Sequence, residues 1–561
     1  MNIFKDLFKE LSGYKSIAGA IEKKISPVSV TGLSHIHRAQ LISAMPEGKV
    51  HLVITGSEAE AKKLCDDVNS MTGSETAVLF PSKELVFTPV DSSNHEYEHM
   101  RISALSRAVK GQCSIICGSI EAVMQPVIPV EKLISSGIEL TAGQEINIQE
   151  LCSTLAGSGY QRCEKVEGAS QFSVRGAIID IYPVQADKPV RIELWGDEID
   201  SISEFETDTQ RRTDSLEKIE ISPASEVLYN SEELADKIEA LAKKVRGKRM
   251  ELVREHLGAD VNRLRAGELL AHGVKYYPLI YGERATVFDY IDGEVLFNDY
   301  SEIMEAASGV MTRYNEDVKI LLEDGQLCKG LDGHIIELPD VQNIASKKVC
   351  LYMSSFMQSG DRIDFRRLVS FEALQNAPWS GDMKQLIEDL NDYIRRGCRV
   401  ILAAGSEKTL PIIRQDIEDE GIPCDIISDD IEPKSGRVVL MSGCFAGGFE
   451  YPENKTVLIT QGRALDSSRR KRRKKKNKAE EIRSLADITE GDLVVHSGHG
   501  IGRFIGIRKL EMDGVTKDYI TIQYAGTDKL YIPVTQLDMV SKYIGPRDDS
   551  GVKLNKLSSN E

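Results

Sequence analysis

The sequence predicts an α/β multidomain protein, and three observations support this prediction. Short apolar runs alternate with helix-like stretches in two long regions, the pattern of parallel sheets covered by helices. The 561 residues are 41% hydrophobic and 28% charged, which is enough apolar content to fill several cores and excludes global disorder or a collagen-like fibre. The last region changes to closely spaced strands after a very basic segment.

The predicted parts follow one another along the chain. A parallel α/β domain is divided by an α+β insertion, and a second small α/β domain, a basic linker, a small β-barrel and a tail come after it. The predicted boundaries are 1–125 and 223–345 for the divided α/β domain, 126–222 for the insertion, 346–462 for the second α/β domain, 463–487 for the linker, 488–546 for the barrel and 547–561 for the tail.

The first strand-to-helix turn indicates a degenerate phosphate loop. No GxxxxGK(S/T) motif occurs in the chain. The sequence TGLSHIHRA places Gly32 at the first motif glycine, but His37, Arg38 and Ala39 stand where glycine, lysine and Ser/Thr are needed. A β-carbon at 37 obstructs the phosphate-cradling backbone, and Ala39 offers no hydroxyl to magnesium. We therefore predict a P-loop-like domain that is inactive, with no catalytic residue.

The insertion and the second α/β domain differ in their strand patterns. The insertion contains QFSVRGAIIDIYP and VRIELWGDEIDSISEFE, which alternate in polarity, with Gly196 and Asp197 placed for a tight turn. The DEID at residues 197–200 imitates a DExD box, but its alternating lead-in favours a hairpin. The second α/β domain is predicted from VCLYMSS, RVILAAG, PCDIIS, RVVLMSG and KTVLITQG.

The C-terminal region combines a basic segment with short strands. Nine of the ten residues from 469 to 478 are basic, and like charges at this density resist packing. Without interleaved aromatics, such a linker makes at most weak, salt-sensitive contact with nucleic acid, and the formal charge of −17 repels phosphate from the chain as a whole. The runs DLVVHS, GRFIGIRKLEMDG, DYITIQYAG and KLYIPV then predict a small Tudor- or SH3-like barrel.

Histidines in two places raise the question of a metal site. The HEYEH at residues 95–99 is a formal HExxH motif, the spacing that places two imidazoles on one helical face. Leu105 occupies the third-ligand offset of one zinc-protease class, although Glu121 is at a tolerable distance for another. The preceding DSSN favours a capped surface helix, so we predict no metal site. His496 and His499 lack a third ligand nearby and are interpreted as loop residues.

Cysteine usage and the N-terminus bear on the cellular compartment. The ten cysteines are scattered without a CxxC pair, which fits a reducing compartment. The N-terminal MNIFKDLFKELSGYK lacks the apolar core of a signal peptide, and no apolar run approaches membrane-spanning length. We therefore expect a cytoplasmic protein without a membrane partner.

Two regions resemble the bacterial transcription-repair coupling factors. Residues 491–545, beginning GDLVVHSGHGIGRFIGIRKLEMDG, closely resemble the RNA-polymerase-interacting domain of that family, and a related barrel occurs in CarD-type transcription regulators. The stretches FPSKELVFTPVDSSNHEYEHMRISAL and GYQRCEKVEGASQFSVRGAIIDIYPVQADKPVRIELWGDEIDSI resemble its UvrB-homology module, a nonhydrolysing relative of UvrB. The chain is identified as an N-terminal portion of such a factor, and the family's translocase is expected to lie outside these 561 residues.

The resemblance implies a transcription-coupled repair factor that binds stalled RNA polymerase through its β subunit and recruits UvrA. The residues that we assign to polymerase binding, on the second barrel strand, are Arg503, Ile507, Lys509 and Leu510. The residues that the resemblance assigns to UvrA binding are Arg162, Phe172 and Arg175. Core packing is an equal alternative for Phe172, because it lies on an alternating strand.

Cofactors and alternative functions follow from the same resemblance. No cofactor is expected in this chain, whereas the full-length family implies ATP and Mg²⁺ for a helicase-like DNA translocase. The alternative from another class is a CarD-like polymerase-binding regulator without a repair role, which would have no affinity for UvrA. The least favoured alternative is a zinc hydrolase built on the HExxH motif.

Overall fold

The structure is a computed structural model, and it describes residues 3–88, 95–355, 363–427, 432–445, 447–461, 479–481, 492–496, 500–512, 515–524, 529–533 and 540–543. The chain divides into two compact units, Met1–Arg463 and Ala464–Glu561, which are considered separately. The predicted tail, and the predicted linker apart from residues 479–481, lie outside the described residues. Of the helices in the described part of the chain, none is both long and apolar enough to cross a membrane.

Strands and helices alternate in the first stretch, as the sequence predicts. Its elements are α1 (Ile3–Lys9), α2 (Ser12–Glu22), β1 (Val28–Thr31), α3 (His35–Ser43), β2 (His51–Thr55), α4 (Glu58–Thr72), β3 (Ala77–Phe80), α5 (Glu96–Val109), β4 (Ile115–Ser119), α6 (Ile120–Val123) and α7 (Val130–Ser135). Helix α4 shows why the boundaries fall where they do. The Ser57 side chain accepts a hydrogen bond from the Glu60 amide at its start, and Gly73 ends it in the left-handed conformation (φ +68°).

The insertion forms a mainly antiparallel sheet packed against one helix. Its elements are β5 (Ile138–Thr141), α8 (Ile148–Gly157), β6 (Gln161–Arg162), β7 (Gln171–Arg175), β8 (Ile178–Ile181), β9 (Val190–Trp195), β10 (Glu198–Phe205), β11 (Arg212–Leu216) and β12 (Lys218–Ile221). Six strands follow the order β11-β10-β9-β8-β7-β6, and β12 pairs with β5. Leu151 and Leu155 of α8 share a core with the apolar face of this sheet. The predicted α+β insertion is therefore present.

The chain then returns to the first sheet. The elements of this stretch are α9 (Ser231–Lys244), α10 (Met250–Arg265), α11 (Tyr277–Tyr281), β13 (Val295–Asn298), α12 (Tyr300–Glu323), α13 (Leu338–Ala345), β14 (Cys350–Ser354) and β15 (Arg367–Ser370). The completed sheet has seven strands in the order β15-β1-β14-β13-β2-β4-β3, and all of its pairs are parallel.

The predicted boundary between residues 345 and 346 is wrong, because two strands that follow it belong to the first sheet. The run VCLYMSS, assigned from sequence to the second α/β domain, forms β14 at the centre of the first sheet. Leu351 pairs with Val28 of β1 and with Leu296 of β13. The strand is buried between two parallel neighbours, and β15 also belongs to this sheet, so the first sheet extends to Ser370.

The second α/β sheet is smaller and of mixed direction. Its elements are β16 (Leu374–Asn376), α14 (Met383–Arg395), β17 (Arg399–Ala403), α15 (Leu410–Asp419), β18 (Cys424–Ile426), β19 (Val438–Met441), β20 (Gly448–Tyr451) and β21 (Thr456–Thr460). The strand order is β16-β20-β21-β17-β19-β18, with β20 antiparallel to both of its neighbours. The remaining four runs predicted for this domain all form strands of this sheet.

Helix α1 joins the two α/β sheets into one core. Phe4 and Phe8 are fully buried, with the Phe4 ring 5.3 Å from Phe445 and the Phe8 ring 5.8 Å from Tyr451, measured between centroids. The Tyr451 hydroxyl also hydrogen-bonds the Gln40 side chain of α3 at 2.9 Å. Because aromatic side chains bury large apolar areas, we infer that these contacts hold the sheets in a fixed relation.

The second unit contains strands only, as far as its described residues extend. They are β22 (Ala479–Glu481), β23 (Leu493–His496), β24 (Gly500–Met512), β25 (Val515–Gln523), β26 (Lys529–Pro533) and β27 (Val540–Tyr543). These strands form an antiparallel sheet in the order β22-β27-β23-β24-β25-β26. Closure of this sheet into a barrel stays a prediction.

A buried ion pair lies where the chain returns from the insertion to the first domain. Arg101 of α5 is fully buried, and its Nε donates to Glu226 Oε1 at 2.6 Å. Lys83 Nζ donates to the other oxygen of Glu226 at 2.6 Å, and the Arg101 guanidinium lies 4.2 Å from the centre of the Phe80 ring. Removing one partner of a buried pair leaves an uncompensated group, which costs more than the pair itself contributes.

We expect Arg101→Met to lower the free energy of unfolding by about 3–5 kcal/mol, because the buried Glu226 loses one of its two cations and keeps only Lys83. Arg107→Met is the matched control on the same helix, since Arg107 pairs with the exposed Glu75 and its loss costs about 0–1 kcal/mol. Guanidinium unfolding of the full chain measures both. Equal destabilisation by the two variants would contradict a structural role for the buried pair.

Candidate functional site

Packing contacts explain the residues found in the turn after β1. Gly32 has φ +84°, and a β-carbon built on it collides with the carbonyl oxygen of Phe371. Glycine is therefore required by the close approach of the chain that follows β15. Ala39 is fully buried in the core that the two α/β sheets share.

His37 faces the second sheet. Its side chain is fully buried against the rings of Phe449 and Tyr451, with centroids 5.9 and 5.1 Å away. Its Nδ1 accepts from the Ser34 backbone amide at 3.3 Å, which is part of a capping box at the start of α3. Burial lowers the pKa of His37 to about 4, so the imidazole is neutral at pH 7.

Arg38 extends across the carboxyl ends of the central strands. Its Nε donates to the Leu33 carbonyl at 2.9 Å, and its terminal nitrogens donate to Asn298 Oδ1 and Ser355 Oγ, each at 2.8 Å. The guanidinium also pairs with the carboxylate of Asp299 through both terminal nitrogens. Ligands of open α/β sheets bind at these strand ends, and here a protein cation and its protein partners occupy them.

Acidic groups beside Arg38 form a possible ligand set for a cation. In the described part of the chain, Glu60, Asp299 and Glu302 are the one group whose oxygens approach closely enough to share a metal. Asn298 Nδ2 donates to Glu60 at 2.6 Å, and burial together with the carboxylates of Glu302 and Asp299 raises the pKa of Glu60. Two of the three carboxylates thus already have protein donors.

The HExxH residues contact the segment where the insertion joins the first domain. His95 precedes α5 and lies 3.0 Å from Glu98, measured from Nδ1 to Oε2. The other oxygen of Glu98 accepts from the Glu226 amide at 2.8 Å. Burial alone would raise the pKa of Glu98, but Lys83, His95 and this amide outweigh it and lower the pKa to about 2. Glu121, the third ligand considered from sequence, lies beside Arg313.

The three residues assigned to UvrA binding do not share one surface. Phe172 is 1% exposed and belongs to the core beneath the sheet, so its assignment to a binding surface is corrected to the core-packing alternative. Arg162 pairs in register with Phe172, whereas Arg175 lies three residues further along β7. Because side chains alternate along a strand, the two exposed arginines belong to opposite faces of the sheet.

Arg175 belongs to a charged outer face. Its guanidinium pairs with Asp180, whose side chain is 1% exposed. Arg191 binds the same carboxylate through Nε at 2.7 Å and Nη2 at 2.9 Å. About half of the Arg175 side chain is exposed, so part of its charge faces solvent while Arg191 satisfies Asp180.

Sequence analysis missed an aromatic residue on this outer face. Trp195, at the end of β9, is 83% exposed, more than any other large hydrophobic side chain in the described part of the chain. The signal that could have identified it is its position directly before the Gly196-Asp197 turn, where a strand ends and neither sheet face covers the side chain.

Strand β24 carries the residues assigned to polymerase binding. Arg503 pairs with Leu493 of β23 on one side and with Gln523 of β25 on the other. Ile507, Lys509 and Leu510 pair with β25 alone among the described residues, opposite Ile520, Asp518 and Lys517. One edge of β24 beyond Phe504 therefore has no strand partner within the described part of the unit.

Known proteins match both units. Residues 138–227 match the UvrB interaction domain family, and residues 488–544 match the CarD-like/TRCF RID domain family. The two matches define the class as a multidomain chain that combines a UvrB-related module with a CarD-like domain.

Relatives over the whole length give the particular family. The chain is 30% identical to the transcription-repair-coupling factor of Bacillus subtilis over all of its length and 49% of that protein. It is 28% identical to the factor of Staphylococcus haemolyticus, with 95% of this chain and 46% of that protein covered. The chain spans about half the length of these relatives. The chain belongs to the transcription-repair-coupling factor family and corresponds to an N-terminal portion of its members, which confirms the identification from sequence.

Proposed function

We propose that this chain is the docking portion of a transcription-coupled DNA repair factor. In this proposal the domain at residues 138–227 recruits UvrA and the domain at residues 488–544 binds RNA polymerase through its β subunit. The occurrence of both domain families in one chain is the observation that carries the proposal. A CarD-like regulator without a repair role has no use for the first domain.

The first sheet acts as a scaffold in this proposal. Arg38 and its partners occupy the strand ends at which a nucleotide would bind. We propose that the turn containing Gly32, His37, Arg38 and Ala39 binds no ATP, and that ATP and Mg²⁺ serve a DNA translocase elsewhere in the full-length protein. DNA contact by this chain is then limited to weak, salt-sensitive binding through the basic linker.

Polymerase docking is proposed to occur by strand addition to β24. An unpartnered strand edge offers backbone donors and acceptors to a partner strand, and nearby side chains select that partner. The unpartnered edge of β24 includes Ile507, Lys509 and Leu510, and Arg503 lies just before it. We propose Leu510 as the apolar contact, with Arg503 and Lys509 as flanking charges.

We expect Leu510→Glu to weaken polymerase binding strongly, because the contact would desolvate a carboxylate without a partner. The control Leu510→Met keeps an apolar side chain of similar volume and is expected to bind normally. Pull-down of RNA polymerase by the full chain measures the effect, with circular dichroism as the test of folding. Undiminished recovery by a folded Leu510→Glu variant would remove Leu510 from the interface.

We expect Arg175→Ala to weaken UvrA binding about tenfold or more, because arginine is a frequent hot-spot residue. The sheet keeps its stability because Arg191 still pairs with Asp180. Phe172→Ala is the contrasting variant, with a loss of about 3–5 kcal/mol of stability from the core cavity. Titration of UvrA against each chain, with thermal melts, separates the two effects. Wild-type affinity in Arg175→Ala would contradict the assignment.

A further inference from the structure

The end of the β9–β10 hairpin presents an indole to solvent. Trp195 directly precedes the turn at Gly196, whose φ of +66° suits glycine, and Glu198 pairs opposite Trp195 in the ladder. The indole is 83% exposed. Tryptophan is the residue with most to gain from burial at an interface, and it is enriched among hot spots.

The hairpin end is held rigidly by the chain that enters the insertion. The Ile146 amide donates to the Asp197 carbonyl at 2.8 Å, and the Gly143 amide donates to the Ile199 carbonyl at 2.7 Å. The Ile199 amide in turn donates to the Gln144 carbonyl at 2.9 Å. A backbone that is already held in place loses little conformational freedom on binding, which favours an anchor at this position.

The indole belongs to the same face as Arg175. In register, Arg175 pairs with Ile178 and Ile178 with Glu193, and Trp195 follows two residues after Glu193 on β9. The amide of Leu194 donates to the Ala177 carbonyl, which brings the end of β9 beside the β7–β8 turn. Trp195 and Arg175 therefore lie at the same end of one sheet face.

The exposed charges of the hairpin turn and of the chain beside it are negative. Glu145, Asp197, Glu198 and Asp200 are all exposed, and none forms an ion pair with a described residue. An indole face attracts a guanidinium, and flanking carboxylates add attraction while the cation is desolvated. A basic partner surface with a projecting arginine fits this combination better than an acidic or a purely apolar one.

We propose that Trp195 is the anchor of the UvrA-facing surface and that it stacks on an arginine of the partner, with Glu198 and Asp197 as the compensating charges. This inference rests on the proposed recruitment of UvrA by the insertion. In this inference Trp195, an exposed aromatic on the same face as Arg175, takes the binding role that the sequence analysis gave to Phe172, which is buried in the core.

Binding of purified UvrA to the full chain, measured by calorimetry, tests the inference. Trp195→Ala is expected to lower the affinity about tenfold or more, Trp195→Phe to restore most of it, and Glu198→Gln to reduce the salt dependence of binding. The matched control is Ile412→Ala, since Ile412 is 64% exposed on α15 of the second α/β domain. All variants are expected to melt at the wild-type temperature because these side chains are exposed.

Three outcomes would overturn the inference, and one of them would also overturn the proposed recruitment. Unchanged UvrA affinity in Trp195→Ala, with normal binding by the wild-type chain, would overturn the anchor while leaving UvrA recruitment intact. Equal losses in Trp195→Ala and Ile412→Ala would also overturn it, because the effect would not be specific to the hairpin. Absence of UvrA binding by the wild-type chain would overturn both the inference and the proposed recruitment.

Discussion

The buried guanidinium of Arg38 constrains what the first sheet can do. It bonds to Asn298, Asp299 and Ser355, groups that follow or end the strands at the centre of the sheet. Asp299 adopts a left-handed backbone conformation (φ +54°) at the start of α12, where its carboxylate meets this cation. The cation and its partners satisfy one another inside the protein, and in the proposed function the strand ends therefore stabilise the fold and bind no phosphate.

The remaining architecture adds rigidity around this scaffold. Phe4 and Phe8 of α1 tie the second α/β sheet to the first, and Arg101 with Glu226 fixes the exit of the insertion. The insertion is held by its own core and by this junction, and Arg175 and Trp195 of its outer face are exposed. Functional groups of the first unit are therefore best sought on surfaces that these contacts orient, such as the face that carries Arg175 and Trp195.

Sequence patterns predicted the strands and helices better than they predicted which strands pair with each other. The runs that form β1, β2, β3 and β4 are short and apolar, and their periodicity is sufficient to identify buried strands. Cys350–Ser354 has the same pattern, but periodicity carries no information on which sheet accepts a strand, and this one crosses back between β1 and β13. Phe172 and Arg175 differ by an odd number of positions, so a regular strand places them on opposite faces, and their common assignment to one binding surface was wrong. The Gly196-Asp197 turn marks Trp195 as a residue at a strand end, but the extent of its exposure depends on the sheet around it.

The central claim is that this chain binds partners through surfaces and holds no nucleotide in its first sheet. The most direct test is calorimetric titration of the purified 561-residue chain with Mg²⁺–ATP, beside titration with UvrA and RNA polymerase. The account predicts saturable binding of both proteins and no saturable binding of ATP. Stoichiometric ATP binding that Arg38→Ala abolishes would contradict it, because Arg38 would then serve a phosphate and not the fold.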